Sequence, residues 1–249
     1  MIICPYVYAS EAIEIRAKFA LDQPHGRRLE FFLWQDVDRI GPEHAFEACW
    51  ERFPERDIII VHSDMAPIPD DKSNEWYDAL LHYRSTLPKA GMIACNLFFP
   101  RSCSGEPLRV QCAGGTFRNG QINHLHGPVI DDPHKAGEGV PRRALQQTRV
   151  VEWVTFAGVL IRREVIRACG SFDRRYRWAY VMDVDYCFEA RLRGYHLFQV
   201  PVSLQHEESR TTKPVLDRDP TLWNEISRNF EFFSEKWQPF NSILTFIRK

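Results

Sequence analysis

Along the chain, short apolar runs alternate with stretches whose apolar residues recur at helical spacing. Met1 to Tyr8 reads as an opening strand, and Ser10, a side chain suited to capping, begins a helical pattern that runs to Leu21. The run LEFFLW, Leu29 to Trp34, predicts a second strand leading into Asp36 and Asp38, and a helix follows over Pro42 to Arg52. DIIIV, Asp57 to Val61, is the strongest strand signal in the chain. SNEWYDALLHYRSTL then places Trp76, Leu80, Leu81 and Leu87 at helical spacing and hands over to the strand GMIACNLFF. Strand and helix in alternation define the α/β class.

From about Pro100 to Arg149 the pattern breaks. This stretch is rich in Gly, Pro, His and Arg and carries turn signals such as NGQ and DDP, which predicts short strands and mobile loops over a binding face. Regularity returns with VVEWVTFAGVLIRREVIRAC, a strand turning into a helix, then the loop GSFDRRYRW, a helix from about Asp183 to Leu192 and the strand HLFQVPV. No internal repeat or linker marks a second domain. Residues 1–249 therefore read as one domain, in stretches over about 1–99 and about 100–220 with a helical tail over about 220–249.

Composition narrows the partners. With 33 acidic against 32 basic residues the charges nearly cancel, so no global field argues for nucleic acid and any anion must be bound locally. Seven scattered cysteines, never spaced C-x-x-C, argue against disulfides and structural zinc. The N-terminus MIICPYVYASEA lacks a basic leader region, which fits a strand better than a signal peptide. The expected location is the cytoplasm. The tail WQPFNSILTFIRK mixes Trp237, Phe240, Ile243, Leu244, Phe246 and Ile247 with Arg248 and Lys249; it is read first as a docked helix and second as a peripheral contact on the inner membrane face.

Two constellations carry candidate chemistry. HSDMAPIPDD, His62 to Asp71, follows the buried strand directly. In a mostly parallel sheet ligands sit beyond the carboxyl ends of strands, so Asp64 would project into that crevice and bind a divalent cation bridging two phosphates. Ser63 and Asp64 forming only a turn is an equal alternative. In MDVDYCFEARLRGYHLFQVPVSLQH, Asp183 and Asp185 open a helix, where capping suits them, and two near carboxylates also perturb each other as a general base requires. His206 is a metal ligand, a phosphate contact or a plain polar histidine. His124, His126 and His134 lack the spacing that argues for zinc. Arg118, Arg142, Arg143 and Arg149 could close on a diphosphate or form a solvated face.

The order of these pieces resembles the family-2 glycosyltransferases. TFAGVLIRREV, CGSFDRRY, MDVDYCFEARLRGY, a strand and then a histidine look like the family's signature half; SDMAPIPD resembles its metal-site strand end; RVQCAGGTFRNGQINHLHGP resembles the intervening segment of its rhamnosyltransferase-like members. The resemblance is strong from Val151 onward and weaker in the first fifty residues. It implies a GT-A fold: Rossmann-like, with a mostly parallel central sheet, flanking helices and a small antiparallel extension, about 1–99 being its nucleotide-binding half and about 100–220 its acceptor and catalytic half. It also implies a nucleoside-diphosphate sugar donor, a glycan or lipid-linked glycan acceptor in surface polysaccharide synthesis, Mn²⁺ or Mg²⁺, and inverting displacement. Asp64 then matches the metal aspartate, with His206 as a second ligand. Asp183 matches the base, and Asp185 supports the acceptor site. Pro5, Tyr6, Asp36 or Asp38, Ser63, Asp64 and Arg118 fall to the donor.

Two positions depart from that pattern: His62 stands where the metal motif often has an aspartate, and Met182 where a glutamate commonly precedes the base. They keep open a catalytically silent glycan- or partner-binding module. A nucleotidyltransferase is disfavoured because no glycine-rich basic loop follows the first strand.

Overall fold

The computed structural model describes residues 1–19, 29–38, 40–68, 75–101, 108–118, 120–131, 139–178, 180–207, 210 and 212–240. The first half alternates as its pattern requires: β1 (Ile2–Tyr6), α1 (Ala9–Lys18), β2 (Phe31–Gln35), α2 (Pro42–Arg52), β3 (Ile58–Ile60), β4 (Met65–Pro67), α3 (Glu75–Thr86) and β5 (Ala90–Phe98). All residues of β3 and β5 are buried, as expected of strands covered on both faces.

The irregular segment folds into β6 (Arg109–Cys112), the hairpin β7 (Gly115–Arg118) and β8 (Gln121–His124), β9 (Gly127–Ile130), β10 (Val140–Pro141), α4 (Arg142–Leu145) and β11 (Arg149–Val151). The chain ends with β12 (Val159–Ile161), α5 (Arg163–Cys169), α6 (Met182–Leu192), β13 (His196–His206), α7 (Thr212–Arg218), α8 (Leu222–Trp237) and the 3₁₀ turn Gln238–Phe240. Residues 102–107 with Cys103, 132–138 with His134, Asp70, Asp71 and 241–249 lie outside the described residues.

Across the centre the strands run β2, β1, β3, β12, β5, β13. Five of these six point the same way, and β12 alone is reversed between β3 and β5. Antiparallel pairings add β6 and then β9 beyond β5, and β4 and β11 along the outer edge of β13. The carboxyl ends of β1, β3 and β13 thus open on one edge of the sheet, which positions the site.

Three boundaries differ from the sequence reading. Helix α1 is capped at Tyr8 rather than Ser10, because Glu11 reaches back to accept the N–H groups of Val7 and Tyr8, each at 2.8 Å. Strand β13 runs four residues past Val202, because β5 and β4 pair with it there, and Pro201 is accommodated where the register shifts between Val200 and Ser203. Trp237, read as the start of the tail, is fully buried in the main core. Among the described residues no helix is long and apolar enough to cross a membrane, and the six described cysteines are free thiols.

An aromatic cluster sets the loop before β12. Trp50 of α2 stacks on Phe172 at 5.1 Å, and Phe46, Phe156 and Tyr186 close around that pair. Gly158 completes the turn with φ +67, a conformation side chains rarely adopt, and a Cβ there would press on Leu97, Leu204 and Met65.

Candidate active site

Three side chains from two strand ends converge. His62 and Asp64 leave the carboxyl end of β3, and His206 is the last residue of β13, antiparallel to β4 at Met65. One ligating atom from each lies within 4.8 Å of the others, and among the described residues this is the one such group of three. His206 Nε2 stands 3.2 Å from Asp64 Oδ1. The other ring nitrogen, Nδ1, faces Gln111 Oε1 on β6 at 2.6 Å. With Nδ1 donating to that amide oxygen, Nε2 presents a lone pair to a carboxylate oxygen, and a proton or a cation must sit between two such acceptors.

The electrostatics fit a cation. Burial favours the neutral Asp64, but when His206 is protonated its Nε2–H donates to the carboxylate and, with the nearby His62 ring, outweighs burial and holds the carboxyl at about 2. Burial, with the charge of His206, presses the His62 imidazole down to about 4, so it stays neutral at physiological pH. His62 Nε2 is buried without a hydrogen-bond partner. A buried, neutral, unbonded imidazole nitrogen beside an anionic carboxylate is a donor set able to take a divalent metal.

Asp183 adjoins this group through one residue. The Phe156 backbone lies beside the His62 ring, where it favours the protonated imidazole, and its N–H donates to Asp183 Oδ2 at 3.4 Å. Val184 N–H donates to the other oxygen at 2.9 Å. Burial raises the Asp183 pKa against these bonds and that of Thr155. The chain enters α6 through Trp178, Tyr180 and Val181, all with positive φ. For β-branched Val181 this conformation is strained, a feature that collects at functional sites.

Asp185 points elsewhere. Two positions along a helix rotate by about 200°, so the carboxylates leave opposite faces and do not act as a pair. Buried Asp185 accepts bonds from Tyr176 at 2.9 Å, Trp237 at 2.7 Å and Lys236 at 2.9 Å, which fasten α8 to α6.

The donor candidates divide. Pro5 and Tyr6 end β1; Ser63 is buried, its hydroxyl bonded to Glu11 Oε1 at 2.9 Å. Buried Glu11 therefore ties the loop after β1 to the metal-site turn. Asp36 is buried and its oxygens accept the Ile40 and Gly41 N–H groups at 3.0 Å each, while Asp38 is exposed. Arg118 is not brought to the cluster: it ends β7 and lines a separate cleft with Arg149 and Arg191. Arg142 is exposed and paired with Asp131. Sequence reasoning missed Glu11, Gln111 and Phe156, and took His62 as a departure; the structure groups its ring with Asp64 and His206.

No protein-family model and no curated protein matches the sequence. Among solved structures the chain is similar to GalNAc-T7 with UDP, GalNAc and Mn²⁺, at 12% identity and a TM-score of 0.50, over 82% of this chain and 43% of that one. It thus spans less than half the length of that neighbour. A197 from STIV matches over 82% of this chain and 79% of its own at 9% identity, with a TM-score of 0.38. The class that the first likeness and the topology define is a GT-A fold.

Proposed function

We propose that this chain is an inverting glycosyltransferase that moves a sugar from a nucleoside-diphosphate sugar to a hydroxyl of a glycan or lipid-linked glycan acceptor. The observation that carries the reading is the position of Phe156, whose N–H donates to the carboxylate of Asp183 and whose backbone lies beside the His62 ring of the His62, Asp64, His206 group. A candidate base beside a cation site at the strand ends of a GT-A fold is the minimum that single displacement needs. The neighbour's UDP, GalNAc and Mn²⁺ support the same ligand classes here.

His62, Asp64 and His206 would hold the cation. Two imidazoles with one carboxylate suit Mn²⁺ better than Mg²⁺, which prefers oxygen ligands. When bound, the cation supplies charge that offsets the leaving diphosphate. Asp183, its basicity raised by burial, takes the proton of the acceptor hydroxyl. The acceptor oxygen then bonds to the anomeric carbon, and the bond to the diphosphate oxygen breaks on the opposite face. Gln111 and Glu11 act as positioning residues, the first through His206 and the second through Ser63. A role in surface polysaccharide synthesis belongs to the same proposal.

Asp183→Asn tests it. Turnover of the matching donor should fall by about 10² to 10⁴ while the donor Kd stays within a few fold. Near-normal turnover would remove Asp183 as the base.

A further inference from the structure

The cleft that Arg118 lines, about 670 Å³, shares no residue with the metal group. It lies toward the other end of β13: Leu197 in its wall precedes His206 by nine positions, up to about 30 Å along a strand. Arg118 of β7, Arg149 of β11 and Arg191 of α6 reach it from three separate elements. Against these three guanidinium groups the lining offers one carboxylate, Glu152. The Arg118 guanidinium makes no hydrogen bond or ion pair with another described residue; Arg149 donates to Ala113 O at 2.9 Å while its Nε is buried without a partner, and Arg191 donates to Glu152 O at 3.4 Å. In a chain whose total charge is close to balance, such a local cationic excess is a site for an anion.

The cleft is far larger than an inorganic anion needs and falls within the range of small-molecule sites, about 300–1,000 Å³. Beside the arginines it offers the Tyr195 ring and the polar edge of Thr116, with Gly114 and Gly115 leaving that wall without side chains. Planar guanidinium groups bind carboxylate or phosphate through paired hydrogen bonds. We infer that this cleft is a second binding site, for a sugar carrying a phosphate or a carboxylate. The inference is independent of the glycosyltransferase reading, because it uses none of the residues around His62.

Calorimetric titration of the full chain with glucose 6-phosphate, glucuronate, glucose and inorganic phosphate tests this. At least one of the two anionic sugars should bind saturably and at least tenfold tighter than glucose or phosphate. Arg118→Ala, at an exposed position where folding is not at stake, should weaken that binding about tenfold and leave Mn²⁺-dependent UDP binding within twofold of wild type. Equal binding of inorganic phosphate, no saturable binding of either anionic sugar, indifference to Arg118→Ala, or displacement of the sugar by UDP would each overturn the assignment.

Discussion

Glu43, in the first turn of α2, is a buried carboxyl whose Oε2 has no hydrogen-bond partner. Burial, reinforced by Asp36 and Glu47, lifts its pKa from 4.5 to about 7. The folded protein therefore keeps this proton between pH 4.5 and 7 while the unfolded chain gives it up. Stability is fully present below 4.5, declines as pH rises through that window and levels off above 7, by at most about 3 kcal/mol. Glu43→Gln should remove the decline. Thermal melts at pH 5 and pH 8 should show the variant gaining several degrees on wild type between the two; parallel shifts would contradict the assignment. At this scale the sequence made Asp64, His206 and Asp183 legible, since each follows a recognisable strand or opens a helix. Glu11, Gln111 and Phe156 were not legible, because their roles exist only through partners 52, 95 and 27 positions away.

At the scale of elements, α6 separates two functions on opposite faces. Asp183 faces the loop before β12, and Asp185 faces α8. Asp185→Ala removes the acceptor shared by Tyr176 and Trp237, while Lys236 keeps Glu189 at 3.1 Å and Asp173 at 3.5 Å, a loss of about 2–5 kcal/mol for two buried hydrogen bonds left unmade. At roughly 2–4 °C per kcal/mol, the Tm should fall by about 10 °C. Asp183→Asn should leave Tm within a few degrees, since its exchange of acceptors is local. A reversal of these two Tm effects would mean that the faces are misassigned. The helical period alone implies this separation, because residues two apart on a helix are turned away from each other however near they lie in the chain.

For the whole molecule, the alternation of strands and helices was readable up to β5 and again from β12, because each βα unit is local. The region between was not, because its strands find partners far along the chain: Arg149 to Val151 pair with Leu197 to Gln199, and Arg109 and Val110 with Pro128 and Gly127. Nor did the pattern reveal that Trp237 would be drawn into the core to bond Asp185. What the assembled fold gathers at one sheet edge is the His62, Asp64, His206 group with Asp183 beside it, and the cation and base roles proposed for them are tested by calorimetric titration with UDP, GDP, dTDP and CDP, each with Mn²⁺ and with EDTA. One diphosphate should bind, its binding should need Mn²⁺, and Asp64→Asn or His206→Ala should weaken it at least tenfold. Failure of all four to bind, or binding indifferent to the cation and to both substitutions, would contradict those roles.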